Sequence, residues 1–247
     1  MRLNFPQINF EYWLSEWKSN QNKEAYFLPQ MNNYSQIKKG ITDLECEKEI
    51  LELVKKTQDP IQEKEDVLRV IDLIYRWGGR SGRMFYLQNQ DKDKMPRKEL
   101  AENQDLFLRY CDAIDLAKKG KASSKFLFQT IPGIGSSFAS KHATFWSAFS
   151  QRPLIVIDSK IVGCLGIEKL EKFDQNYSYE SVLHEFNDFG KTLTPSLTSQ
   201  QVERALFTFH LHFFNNENTG WAYKDIFELK NSEDFDIAAQ IAKKLKF

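Results

Sequence analysis

Apolar residues return at three- and four-residue intervals through most of this 247-residue chain, the period an α-helix needs to bury one face. Phe10, Trp13, Leu14 and Trp17 predict a short helix. Thr42-Asp-Leu-Glu45 reads as a capping box that opens a helix to about Lys56, with Cys46, Ile50, Leu53 and Val54 on its apolar face. After the break at Asp59-Pro60, Val67, Val70, Ile71 and Ile74 form a stripe that Gly78-Gly79 ends. One pattern then runs from Pro96 to Lys119 through Leu100, Phe107, Tyr110, Cys111 and Ile114, and Gly120 stops it. Val182, Leu183 and Phe186 predict a helix, and Val202, Ala205, Leu206, Phe209 and Phe213 another. Ser232 caps a last one through Phe235, Ala238, Ile241 and Leu245. The stretch from Asn20 to Gly40 reads as irregular, and any strand is confined to residues 1–40 or 80–95.

Composition agrees with an all-α fold. Eleven Gly, seven Pro and seven Val are too few for the tight turns and β-branched strands of a sandwich or barrel. Lys plus Arg and Asp plus Glu each number 34, so the net charge is zero and a uniformly basic nucleic-acid binder is excluded, though not a local basic face. No apolar run reaches the roughly 18 residues of a membrane span, and Met-Arg-Leu-Asn-Phe-Pro has no signal-peptide core. Cys46, Cys111 and Cys164 are too scattered for a disulfide framework or a CxxC metal site. The expectation is a reduced, cytoplasmic protein with no membrane partner and no metal.

One segment departs from this regularity. Phe126-Leu-Phe-Gln leads through Thr130 into Ile131-Pro132-Gly133-Ile134-Gly135, and a second helix follows with Phe138, Phe145 and Phe149 on its inner face. Pro132 fixes φ, and Gly133 and Gly135 permit a hairpin whose backbone a ligand can approach. The amides of Ile134, Gly135 and Ser136 then point out of a helix N-terminus, which favours an anion such as phosphate. From Lys118 to Lys160 there are seven Lys and Arg and a single acid, Asp158, so positive charge gathers along this segment. Asp158 follows the extended run Pro153-Leu-Ile-Val-Ile and is placed to cap a helix starting at Ser159. Its two roles are a cap worth about 1 kcal/mol or a carboxylate held over a cleft.

The order of hairpin, helix, Pro153 loop and Asp at a helix start resembles the helix-hairpin-helix DNA glycosylase superfamily. Gly135-Ser-Ser-Phe138-Ala-Ser-Lys141 and Ile157-Asp158-Ser159-Lys-Ile are most similar to its divergent bacterial branch with the eight-oxoguanine DNA glycosylase fold, which is associated with antiviral defence clusters. The likeness covers Lys118–Gly166, and the 23 residues from Gly135 to Asp158 are slightly more than the family's spacing of about twenty. It implies two helical lobes around a cleft that holds double-stranded DNA. An extension occupies residues 1–60 and the glycosylase-like core 61–247, with the helix-hairpin-helix at about 121–149 and the Asp loop at 150–158. In that family the enzyme flips a nucleotide out of the stack and cuts its base–sugar bond.

By the same resemblance, Gly133, Ile134, Gly135 and Ser136 bind the DNA backbone and Asp158 steadies positive charge on the sugar. A monovalent cation at the hairpin is the one cofactor it leaves room for. Bifunctional members carry a Lys two residues after the second hairpin Gly, where this chain has Ser137. Either water attacks the sugar, or Lys141, one helical turn further on, replaces the missing amine. Phe138 and Trp146 are candidates for the base pocket, with core packing the competing role for Trp146 and for Trp77. Arg76, Arg80 and Arg83 either meet phosphates or line a solvated turn, and His142 reads as structural. His210 and His212, two residues apart on a helix, point to different sides and share no metal. The leading function is excision of a modified purine, guanine-derived by the family's label. The alternatives are a non-catalytic DNA-binding or interaction subunit with protein partners in a defence complex, and a helical scaffold whose hairpin is only a turn.

Overall fold

A computed structural model of the chain describes residues 2–20, 43–78, 96–167 and 169–214, with the side chains of 19, 20, 43 and 211–214 left aside. These residues form eleven helices and no strand. They are α1 (Phe10–Asn20), α2 (Asp43–Lys56), α3 (Lys64–Trp77), α4 (Pro96–Glu102), α5 (Gln104–Lys118), α6 (Ser123–Gln129), α7 (Ser136–Trp146), α8 (Ser159–Cys164), α9 (Leu170–Asn176), α10 (Tyr179–Thr192) and α11 (Ser199–Phe214). The expectations for residues 21–40 and 80–95, for Arg80 and Arg83, for the side chains of His212 and Phe213 and for the helix after Ser232 lie outside the described residues.

The stretch expected as one pattern from Pro96 to Lys119 is two helices. Asn103 is in extended conformation and its side chain accepts the Leu106 amide at 3.1 Å, which starts α5 afresh. A short polar side chain that satisfies a first-turn amide outweighs the continuing apolar period. At the other end the stop is as expected. Gly120 takes φ +66°, its amide reaches the Ala117 carbonyl at 2.7 Å, and Lys121 reaches Leu116 at 3.0 Å, a Schellman closure.

The chain divides into two compact units: Met1–Lys18 with Ile157–Phe247, and Ser19–Val156. Aromatics tie the first residues of the chain into the first unit. Phe5 stacks on Phe189 with centroids 4.0 Å apart, Phe10 meets the same ring edge-on at 5.1 Å, and Trp13 meets Phe209 at 5.6 Å. Trp13 and Phe209 are fully buried, and such pairs add about 0.5–1.5 kcal/mol each beyond their area. The N-terminal residues thus belong with α8–α11, while α2 belongs with α3, where the Cys46 thiol reaches the Leu73 carbonyl at 3.4 Å.

In the second unit α3 buries Val67, Leu68, Val70, Ile71, Leu73, Ile74 and Tyr75. Three of the buried side chains of this unit form a hydrogen-bonded chain. Trp146 Nε1 donates to the Tyr110 hydroxyl at 3.3 Å, and that hydroxyl lies 2.7 Å from His142 Nδ1. The Tyr110 hydroxyl thus links the Trp146 indole to the His142 imidazole, and burial keeps that imidazole neutral.

Candidate nucleic-acid interface

Ile131-Pro132-Gly133-Ile134 closes a β-turn, with the Ile134 amide on the Ile131 carbonyl at 3.0 Å and Gly133 at φ +80°. Pro followed by a residue of positive φ is a type II pattern, and Gly meets that φ without a Cβ clash. The hydroxyl of Tyr75, on α3, donates to the Gly133 carbonyl at 2.8 Å and pins the turn. Burial pushes that phenol well above its usual range, so it stays a donor. This corrects one expectation: the Ile134 amide is used within the turn and is not available to a ligand. The helical ladder of α7 starts with the Ala139 amide on the Gly135 carbonyl at 2.8 Å, so the Ser137 and Phe138 amides precede it with no helical carbonyl to meet.

Gly135 stands apart from Gly133. Its φ of −74° and ψ of 170° are extended backbone open to any residue, and a Cβ there would meet nothing within 4 Å. Neither torsion nor packing asks for glycine. The bare backbone faces open space just before the uncapped start of α7, beside the half-buried Ser136, Ser137 and Phe138.

Lys141 sits one turn into α7 at 5% exposure, and its Nζ donates to the Ser137 hydroxyl at 2.9 Å. The two alternatives for the reacting group, Ser137 with water or Lys141, are therefore direct neighbours. The Phe138 ring lies 5.2 Å from the same ammonium and stacks on Tyr75 at 4.4 Å. A Cβ on Gly78 would lie 2.6 Å from that ring, so the end of α3 is shaped to receive it. Trp146 is 1% exposed and bonded to Tyr110, which makes it a core residue with no ring face turned outward. Trp77 is half-buried, edge-on to Phe145 at 4.9 Å. Phe149, expected on the inner face, is 59% exposed because α7 ends at Trp146.

The positive charge of this segment is not gathered at the hairpin. The Lys118 ammonium is tied to the Thr57 carbonyl at 2.6 Å, and Lys125 is buried at 2% exposure. Lys119 and Lys121 are exposed at the α5–α6 turn, the far end of α6 from the hairpin. His142 is fully buried, and its pKa falls to about 3 through burial and then through the Lys141 charge.

Asp158 belongs to the other unit. As expected it caps a helix at Ser159: its Oδ1 accepts the amides of Lys160 at 3.0 Å and Ile161 at 3.2 Å. It is 8% exposed, behind the buried run Leu154–Ile157. Helix α8 rests on α11 through the Lys160 ammonium, 4.7 Å from the Phe207 ring, and through the Cys164 thiol on the Leu206 carbonyl at 3.4 Å. His210, one turn beyond Leu206, is buried close enough to feel Asp158. Burial and then Lys160 lower its pKa to about 4, and the Asp158 charge opposes them. Burial first and Asp158 second raise the Cys164 thiol. The neighbourhood of Asp158 thus includes the neutral imidazole of His210, a proximity that periodicity does not show because the two residues lie on different helices. Among the described residues no group of three His, Cys, Asp or Glu could hold a metal ion, and no helix is long and apolar enough to cross a membrane.

Compared with known proteins, the chain matches no family model, no curated protein and no solved structure.

Proposed function

We propose that this chain is a DNA N-glycosylase-like protein of the helix-hairpin-helix kind, which grips the backbone of double-stranded DNA at the 131–138 hairpin and excises a flipped, modified purine. The observation that carries the proposal is Gly135: a glycine that neither the turn nor the packing requires, opening bare backbone onto space at a helix N-terminus. Backbone amides there hold a phosphate oxygen without reading sequence. In this reading Asp158 supplies fixed negative charge to a sugar that becomes cationic as its base departs. The Ser137–Lys141 pair stands at the phosphate end, and water is the attacking group, because the amine is held at 5% exposure beneath Phe138.

A DNA-holding module without chemistry, acting with protein partners in a defence complex, is the second reading. Phe138 favours it, since an aromatic ring already occupies the space beside Lys141 and Tyr75. The test incubates the full chain with duplexes that carry a panel of modified guanines and follows free base by mass spectrometry. Base release that Asp158→Asn abolishes, with duplex binding kept and no borohydride-trapped adduct, is the expected result. An adduct lost in Lys141→Gln would move the attack to the amine. Binding without release from any duplex would favour the second reading, and no duplex binding would overturn both.

A further inference from the structure

Ser137 and Lys141 form a nucleophile–base pair that base excision by water does not use. They stand four residues apart on α7 and so share one side of the helix. The Lys141 Nζ lies 2.9 Å from the Ser137 Oγ, within direct reach of its proton. The amine is 5% exposed with the Phe138 ring 5.2 Å away, whereas Ser137 is half-buried and its hydroxyl lies nearer the surface. The helical ladder begins with the Ala139 amide on the Gly135 carbonyl, so the Ser137 and Phe138 amides stay available beside that hydroxyl. Nothing lies within 4 Å of a Cβ placed on Gly135, which leaves the approach open. A helix start alone holds an anion; the hydroxyl and the amine bonded to it add a group that can react. All of these parts lie within Gly135–Lys141, in one compact unit.

We propose that Ser137 is a nucleophile that accepts an acyl group from a carboxylic ester, with Lys141 as its general base. The step runs through the neutral form of the amine. Lys141 takes the Ser137 proton as Oγ bonds to the carbonyl carbon. The Ser137 and Phe138 amides hold the oxygen that becomes negative. The bond from that carbon to the alcohol oxygen then breaks, and the Lys141 ammonium returns its proton to the leaving alcohol. Water, deprotonated by the same amine, adds to the acyl-serine and releases the acid and the free hydroxyl. Ester and water thus become acid and alcohol, with no further reactant. An ester is the class that suits the pair, because an alcohol leaves more readily than the amine of an amide and the one acid at hand is that ammonium. The activity needs no DNA and goes beyond the excision proposed above.

The experiment incubates the full chain, without DNA, with a fluorophosphonate probe and reads the adduct by intact mass and peptide mapping. The expected result is a single adduct on Ser137, formed as its Oγ displaces fluoride from phosphorus. Ser137→Ala removes one half-buried hydroxyl, should fold as the wild type does by circular dichroism, and should form no adduct. Lys141→Arg keeps a charged donor but no base, and should slow labelling roughly 100-fold or more. Lys141→Gln serves the same comparison if the larger side chain disturbs the helix. p-Nitrophenyl acetate should acetylate Ser137 and be turned over faster by the wild type than by Ser137→Ala. No adduct on the wild type, an adduct on another residue, or wild-type labelling of Ser137 in a folded Lys141 variant would overturn the proposal. Because no DNA is present, failure of duplex binding or base release is read separately from failure here.

Discussion

His142 makes the unit that carries the hairpin sensitive to acid. Its imidazole is fully buried, is hydrogen-bonded to the Tyr110 hydroxyl through Nδ1 and has its pKa lowered from 6.5 to about 3. A proton added to the ring places a buried positive charge beside Lys141. Because the folded pKa lies below the unfolded one, the unfolded chain binds the extra proton first. The stabilisation is therefore complete above about pH 6.5 and is lost as pH falls toward 3. At pH 5 the unfolded histidine is protonated and the folded one is not, which costs about 2 kcal/mol. The whole shift corresponds to about 5 kcal/mol, comparable with the total stability of many domains. The perturbation is His142→Asn, whose side-chain amide offers the Tyr110 hydroxyl either a donor or an acceptor but does not titrate. Denaturant unfolding at several pH values, followed by near-ultraviolet circular dichroism of the Tyr110–Trp146 cluster, compares slopes, so the baseline cost of the smaller side chain cancels. Between pH 7 and 5 the wild type should lose about 2 kcal/mol more than the variant. Parallel curves would refute the reasoning.

Tyr75→Phe removes the bond to the Gly133 carbonyl, at a cost of about 1 kcal/mol, and should speed amide exchange at Ile134 while the stack with Phe138 remains. Gly133→Ala forces a Cβ into φ +80° and should cost about 1–2 kcal/mol in the same unfolding assay. Asp158→Ala removes both bonds to the start of α8 and should lower stability by about 1 kcal/mol, whereas Asp158→Asn keeps the acceptor and most of the cap.

The local rules reached far into this fold. Asp158 as the cap of a helix at Ser159, Gly120 as a stop and Pro132-Gly133 as a turn are each set by one or two residues and their torsions, and each stands where the sequence puts it. The break at Asn103 did not show, because an apolar stripe continues across it and only the side-chain bond to Leu106 reveals the cap. Counting lysines gave the charge of the hairpin segment but not its location. Lys118 bonds to Thr57 and Lys125 turns inward, contacts across the fold that no window along the chain contains. The same holds for His210, brought near Asp158 by the packing of α8 on α11. It holds too for the unit to which the first residues belong. The first residues of the chain pack with the C-terminal helices through Trp13 and Phe209, partners far apart in sequence.

The duplex grip at Gly135 is tested most directly by Gly135→Val, with unfolding and duplex binding measured on the same preparation. Gly135 is the N-cap of α7, where glycine is favoured over valine, so with extended backbone and empty space at the Cβ position the cost in stability is about 1 kcal/mol. A valine there stands between the α7 amides and a phosphate. Loss of one charge-assisted amide bond, about 1.5–3 kcal/mol, predicts duplex affinity lower by roughly 10- to 150-fold for every sequence alike. A stable variant that binds duplex DNA as tightly as the wild type would contradict the account.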